Sequence, residues 1–211
     1  MKSIYTYSDL IKNIPVRKQS SYTKKDSWNR IIDEHFQAIL TTMFGSNDKI
    51  EISRQDVFNE NDVYKKIVKT FIWGYPTVGR GNNIQNVINS EDRIVGIMSS
   101  INGKKITKNE YFALVTKLKK ITGLGISTWT KMLYFFDVKI ENSTCQIFDN
   151  QIFESLNKEQ LIEFMGNKYL RHNYETYLNY IDDLAVIAKE MMTKAENIEV
   201  FLFYFNNRYK L

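Results

Sequence analysis

Only two prolines, Pro15 and Pro76, interrupt 211 residues, and between turn signals the apolar residues recur with a period near 3.6 rather than 2. A chain so free of helix breakers is expected to fold as an all-α protein. Trp28, Ile31, Ile32, Phe36, Ile39, Leu40 and Met43 show the pattern over one segment. Helices are expected at roughly 7–14, 27–44, 61–73, 84–89, 91–101, 108–121, 126–137, 150–157, 158–166, 172–193 and 195–206, with Asp26, Asn61, Ser90 and Thr107 as N-caps. The last segment carries Ile198, Phe201, Leu202 and Phe205 on one face and is expected to dock. Two stretches read as irregular. Residues 45–60 include a short strand-like Glu51-Ile52-Ser53, and 74–83, GYPTVGRGNN, is a glycine-rich loop that reads as a surface loop or as an amide cradle for phosphate.

With 43% hydrophobic and 14% aromatic residues the chain can fill a core, which excludes a disordered protein. No apolar run is long enough to span a bilayer, and the first fifteen residues, MKSIYTYSDLIKNIP, lack the apolar stretch and cleavage site of a signal peptide. A soluble, cytoplasmic protein is expected. Cys145 is the only cysteine and His35 and His172 the only histidines, so neither an internal disulfide nor a protein-held metal is expected. His172 reads as a helix-start or surface residue rather than a general base. No repeat or low-complexity linker divides the chain, so one domain over 1–211 is expected, with any lobes interleaved.

The net charge of +5 is modest, but its distribution is not. Residues 101–131 hold Lys104, Lys105, Lys108, Lys117, Lys119, Lys120 and Lys131 against Glu110 alone, a local +6 that exceeds the whole chain's net. Such a cluster suits a polyanion, because each phosphate neutralised releases counterions. A solvated helix face is the plain alternative.

That basic window ends in ITGLGISTWTKMLYFF, residues 121–136. A helix stops near Ile121, the glycines Gly123 and Gly125 allow the chain to reverse, and a second helix opens near Ser127 or Thr128. The free amides and positive dipole end of that helix form an anion site, although a bare GxG between helices is also an ordinary αα-turn. Trp129, Met132, Leu133 and Phe136 form one apolar stripe, which leaves Ser127, Lys131 and Tyr134 on the opposite face. Eighteen residues after Lys131 stands Asp149, which ends an apolar run and precedes another helix, where an aspartate commonly serves as an N-cap.

This layout resembles the helix-hairpin-helix DNA glycosylase superfamily, whose motif is an LxGxG hairpin, an amphipathic helix and, about twenty residues on, an aspartate opening the next helix. GISTWTKMLYFF with IFDNQI is closest to the bacterial branch similar to 8-oxoguanine DNA glycosylase. The match covers about 121–153, with weaker likeness at FIWGYP and IEVFLF. The resemblance implies two helical lobes with a cleft between them and removal of a flipped-out modified purine. It implies a grip on the DNA backbone by Gly123, Leu124, Gly125, Ile126, Ser127 and Thr128, helped by Lys119 and Lys120. A monovalent cation held by hairpin carbonyls is implied as well, and no other cofactor. Asp149 takes the family's aspartate position. The family's lysine position, two residues past the second glycine, holds Ser127 instead, and Lys131 lies one turn later on the same face, in reach of the same pocket. As a nucleophile Lys131 needs a depressed pKa, which burial favours and a nearby Asp149 opposes.

Tyr134, Trp73 and Phe203 are candidates to stack on an extruded base, although most of the chain's aromatics must be core. The expected function is therefore a DNA glycosylase, with or without strand-cleaving lyase activity, acting in repair or, as relatives of this branch occur in anti-phage operons, in defence with partner proteins. The alternatives are a DNA-binding module that has lost its chemistry, to which Ser127 points, and a helical interaction subunit of a larger complex.

Overall fold

The computed structural model describes residues 2–79, 81–157, 161–164 and 167–208. Helices α1 (Ser8–Lys12), α2 (Glu34–Phe44), α3 (Arg54–Phe58), α4 (Val63–Gly74), α5 (Asn83–Ile88), α6 (Glu91–Ile101), α7 (Lys108–Leu118), α8 (Ile126–Phe135), α9 (Asn150–Asn157), α10 (Tyr174–Glu190) and α11 (Ala195–Arg208) dominate it. The fold is mostly helical, as expected, but not purely so. Strand β1 (Ser20–Lys24) pairs antiparallel with β2 (Lys49–Ser53), running from Ser20 opposite Ser53 to Lys24 opposite Lys49. A second small sheet joins β3 (Lys105–Ile106) parallel to β4 (Lys139–Ile140), and β4 antiparallel to β5 (Ser143–Thr144).

Side chains set the helix starts. Thr107 and Glu110 form a reciprocal capping box at α7, and Ser53 and Asp56 form another at α3, a helix within a stretch that reads as irregular in the sequence. Two expected caps are displaced. The segment expected as one helix over 27–44 is a 3₁₀ turn at Lys25–Trp28 followed by α2 alone, because the Asp33 carboxylate, not Asp26, accepts the Phe36 amide at 2.8 Å. The break leaves Ile32 87% exposed, while Trp28 turns inward and donates to Thr23. At α4 the cap is Asp62, one residue past Asn61. Ser90 precedes α6 but makes no capping bond. Of the helix expected at 158–166, Ile162–Phe164 form a 3₁₀ turn, and residues 158–160, 165 and 166 lie outside the described residues.

Helix α8 lies at the centre. It packs on α4, while α9 and α10 both pack on α11. Every residue from Thr128 to Phe135 is buried, so the expected polar face of α8 does not meet solvent. Lys131 and Tyr134, expected on that face, are 4% and 3% exposed. The stripe is apolar as expected, but α4 and the chain leading into α9 cover the other side.

Candidate active site

Helix α7 runs out at Leu118 and α8 starts at Ile126, joined by a turn in which Gly123 adopts φ +84. An added Cβ at Gly123 would meet the Asn83 carbonyl oxygen at 2.4 Å, so glycine here serves both the left-handed backbone and a backbone-to-backbone approach of the turn to α5. Gly125 caps α8 and brings no side chain to the first-turn amides. The Thr128 amide bonds the Gly125 carbonyl at 3.1 Å, and the positive end of the helix dipole lies at Ile126 and Ser127 ahead of it. Within this turn Leu124 and Thr128 are buried, Gly123, Ile126 and Ser127 half-buried, and Gly125 exposed. Lys119 and Lys120 stand exposed beside it, Lys119 lying 5.2 Å from the Tyr174 ring. Lys108 is paired with Asp182 at 3.2 Å and Lys131 is buried, so the exposed basic surface is smaller than the run of lysines in the sequence implies.

One turn into α8, the Lys131 amine reaches the Asp149 carboxylate, with Nζ 3.5 Å from Oδ2. The two oxygens of Asp149 divide their work. Oδ1 accepts the Gln151 and Ile152 amides, each at 3.1 Å, and so caps α9, while Oδ2 faces the lysine. Lys131 also donates to the Ser127 carbonyl at 3.4 Å and lies 5.2 Å from the Tyr75 ring centroid, whose hydroxyl is 2.7 Å from Thr128 Oγ1. The stem of Lys131 crosses Gly74, where a Cβ would meet Cδ at 2.8 Å. Gly74 thus leaves the room that the lysine occupies. Burial works against the ammonium, but the oxygens of Tyr75, Asp149 and Glu199 outweigh it, and the amine's pKa is held above its ordinary value.

The chain that delivers Asp149 is tied down residue by residue. Tyr177 and Tyr180 donate to the carbonyls of Gln146 and Ile147, each at 3.0 Å, and His172 Nε2 bonds the Phe148 carbonyl at 2.9 Å. Thr130 Oγ1, on α8 beside Lys131, accepts the Phe148 amide at 3.0 Å. His172 stacks on Phe153, and burial lowers its pKa, so it is a neutral donor here. The sequence carries no signal for these tethers, because hydroxyls on core aromatics look like ordinary core.

Behind the pair lies a second set of charges. Arg54 and Glu199, both 0% exposed, form a two-bond ion pair at 2.7 and 3.1 Å, and Arg54 Nε donates to Gln19 at 2.6 Å. Trp73 and Tyr134 flank the Arg54 guanidinium at 5.0 and 4.9 Å, and both pack on Phe135. Their polar ends are engaged, Trp73 with the Gln19 carbonyl and Tyr134 with Glu196. Of the three aromatics suggested by sequence, these two therefore share one buried cluster, and Phe203 lies half-buried on α11, packed against the core and edge-on to Tyr204. No group of three or more His, Cys, Asp or Glu side chains that could hold a metal occurs among the described residues, and no described helix is long and apolar enough to cross a membrane.

A family model described as "Putative 8-oxoguanine DNA glycosylase OGG-like protein" matches residues 14–203. No curated protein and no solved structure matches the chain.

Proposed function

We infer a base-excision function for this chain, which belongs to the OGG-like family, and propose that it removes a modified purine, with 8-oxoguanine as the reference substrate, from DNA. The observation that carries this reading is the convergence of the Lys131 amine and the Asp149 carboxylate at 3.5 Å, one turn behind the amides of the α7–α8 turn. The turn grips backbone phosphate, with a monovalent cation at its carbonyls where one is bound, and the target nucleotide is extruded so that its C1′ reaches Lys131. As the ammonium gives its proton to the departing base, the amine attacks C1′. The glycosidic C–N bond breaks, and its electron pair leaves with the base. Asp149 faces the positive charge that grows on the sugar. The new C1′–N ammonium then gives up a proton as the C1′–O4′ bond breaks, its electron pair and the proton going to the ring oxygen, and the protonated Schiff base left between Lys131 and C1′ is the species that supports strand cleavage.

Ser127 occupies the family's usual lysine position, and Lys131 supplies the amine from one turn further along α8. The burial of Lys131, whose side chain is 5% exposed, favours the rival reading of a DNA-binding module without chemistry. The test is base release from duplex and single-stranded oligonucleotides carrying one 8-oxoguanine, followed by mass spectrometry of the free base. Release by the native chain and its abolition in Asp149→Asn and Lys131→Gln is the expected result. Binding of these oligonucleotides with no release of any modified purine would leave the module as the answer.

A further inference from the structure

The chemistry proposed for Lys131 needs its amine to meet a sugar, yet the residue is 4% exposed. What covers it determines how it is reached. Asp149, Glu199 and His172 lie close enough to exchange charge effects with the amine, and each is tied down. Asp149 caps α9, Glu199 is bound to Arg54, and His172 bonds the Phe148 carbonyl.

Tyr75 is held differently. It is half-buried and stands just past the end of α4, next to the Gly74 that the Lys131 stem crosses. Its ring centroid is 5.2 Å from Lys131 Nζ, and its hydroxyl is 2.7 Å from Thr128 Oγ1 in the first turn of α8. The side chain therefore bridges α4 and α8 across the amine, and that bond to Thr128 is its one hydrogen bond among the described residues.

The loop beyond Tyr75 is folded back on it. The Val78 amide donates to the Tyr75 carbonyl at 2.8 Å, and an added Cβ at Gly79 would stand 3.6 Å from Tyr75 Cδ1. Val78 is buried at φ +64, a region that a β-branched residue takes only when its surroundings impose it. Here Arg30 imposes it, Nη2 donating to the Val78 and Gly79 carbonyls at 2.9 and 3.0 Å, while Thr23 donates to the Pro76 carbonyl at 2.7 Å. Releasing Arg30 would relieve the strain at Val78, which lowers the cost of moving the loop.

We propose that Tyr75 is a positioning residue that closes the site over Lys131. It holds the amine against Asp149 in the free protein, and a sugar reaches Nζ only when the ring turns aside with its loop. Its part in excision rests on the function proposed above, whereas the cover itself belongs to the free protein.

Reductive methylation with formaldehyde and cyanoborohydride reads the cover without DNA, when mass spectrometry follows Lys131 and the exposed Lys139 in the same chain. In the native chain Lys131 should react at least tenfold more slowly than Lys139. Tyr75→Ala should speed Lys131 at least tenfold and leave Lys139 unchanged. Tyr75→Phe keeps the ring and loses only the bond to Thr128, so it should restore most of the protection. Arg30→Gln leaves Tyr75 in place and frees its loop, and should speed Lys131 about threefold; it serves as the test where Tyr75→Ala does not fold. Equal Lys131 rates in the native chain and these variants would overturn the proposal, as would a Tyr75→Phe chain no better protected than Tyr75→Ala. Base release separates the cover from the chemistry. The predicted labelling with no release from any modified duplex would keep the cover and remove excision, and release by a chain whose Lys131 labels as fast as Lys139 would do the reverse.

Discussion

At Lys131 two opposing effects meet, and their balance determines the resting state of the site. Burial disfavours the charge, yet the surrounding oxygens prevail, so the lysine rests as an ammonium paired with Asp149. Because the folded pKa is raised, this pair's contribution to stability is fully present below the ordinary lysine value near 10.5 and is lost only as pH climbs through the higher folded value. Reactivity runs the other way. The rate of Schiff-base formation with an abasic-site oligonucleotide should rise about tenfold per pH unit from neutral to pH 9, since each unit multiplies the free-amine fraction by ten. A plateau below pH 8 would show that DNA binding depresses the lysine, not that the free protein does. Deeper in the core, Arg54→Met leaves Glu199 buried and unpaired and should cost about 3–5 kcal/mol, whereas Arg54→Met with Glu199→Leu should recover much of that stability. Urea unfolding of the native chain, both single variants and the double variant decides between this outcome and simple additivity.

At the level of elements, one glycine serves the α7–α8 turn and another serves Lys131. Gly74 closes α4 directly beneath the Lys131 stem, and the atom that a new methyl would strike is the middle of a flexible side chain. Gly74→Ala should therefore keep stability within about 1 kcal/mol, the helix-propensity gain offsetting the clash. The displaced amine should slow trapping about 100-fold with little change in DNA affinity, as expected for a misplaced reacting group. Gly123→Ala is the converse. Its methyl would strike a backbone carbonyl at a residue with φ +84, so it should destabilise by about 1–3 kcal/mol and weaken DNA binding, as melting and binding curves would register. Both turn glycines, the Thr107 cap and the position of Asp149 at a helix start were legible in the sequence, because caps and turns are local chemistry. Less local features were not. The β1–β2 pairing joins residues about thirty apart through strands whose alternation is weak, and the Arg54–Glu199 pair spans 145 positions. The burial of Lys131 escaped for a different reason. A helix covered on both sides can carry a lysine inward when a glycine on the neighbouring helix yields the space, and no periodicity reports that.

For the whole molecule, a net +5 is too small to hold DNA by field alone, so affinity should rest on the few exposed cations beside the turn. Lys119→Gln with Lys120→Gln should reduce the slope of log K against log salt by about 1.8 on duplex DNA, about 0.9 for each phosphate no longer neutralised, and should do so equally for damaged and undamaged sequences. An unchanged slope would place the DNA on another face. Helix α8 ties the scales together, since its first turn offers the amides, its second the lysine, and its third Tyr134 and Phe135 against the buried arginine. Lys131 is proposed as the nucleophile, and borohydride reduction of the protein on a duplex with 8-oxoguanine or an abasic site, followed by peptide mapping of the adduct by mass spectrometry, tests that role. One covalent adduct on Lys131 is expected, absent in Lys131→Gln and undiminished in Lys139→Gln. An adduct on any other lysine, or one that survives Lys131→Gln, would contradict it.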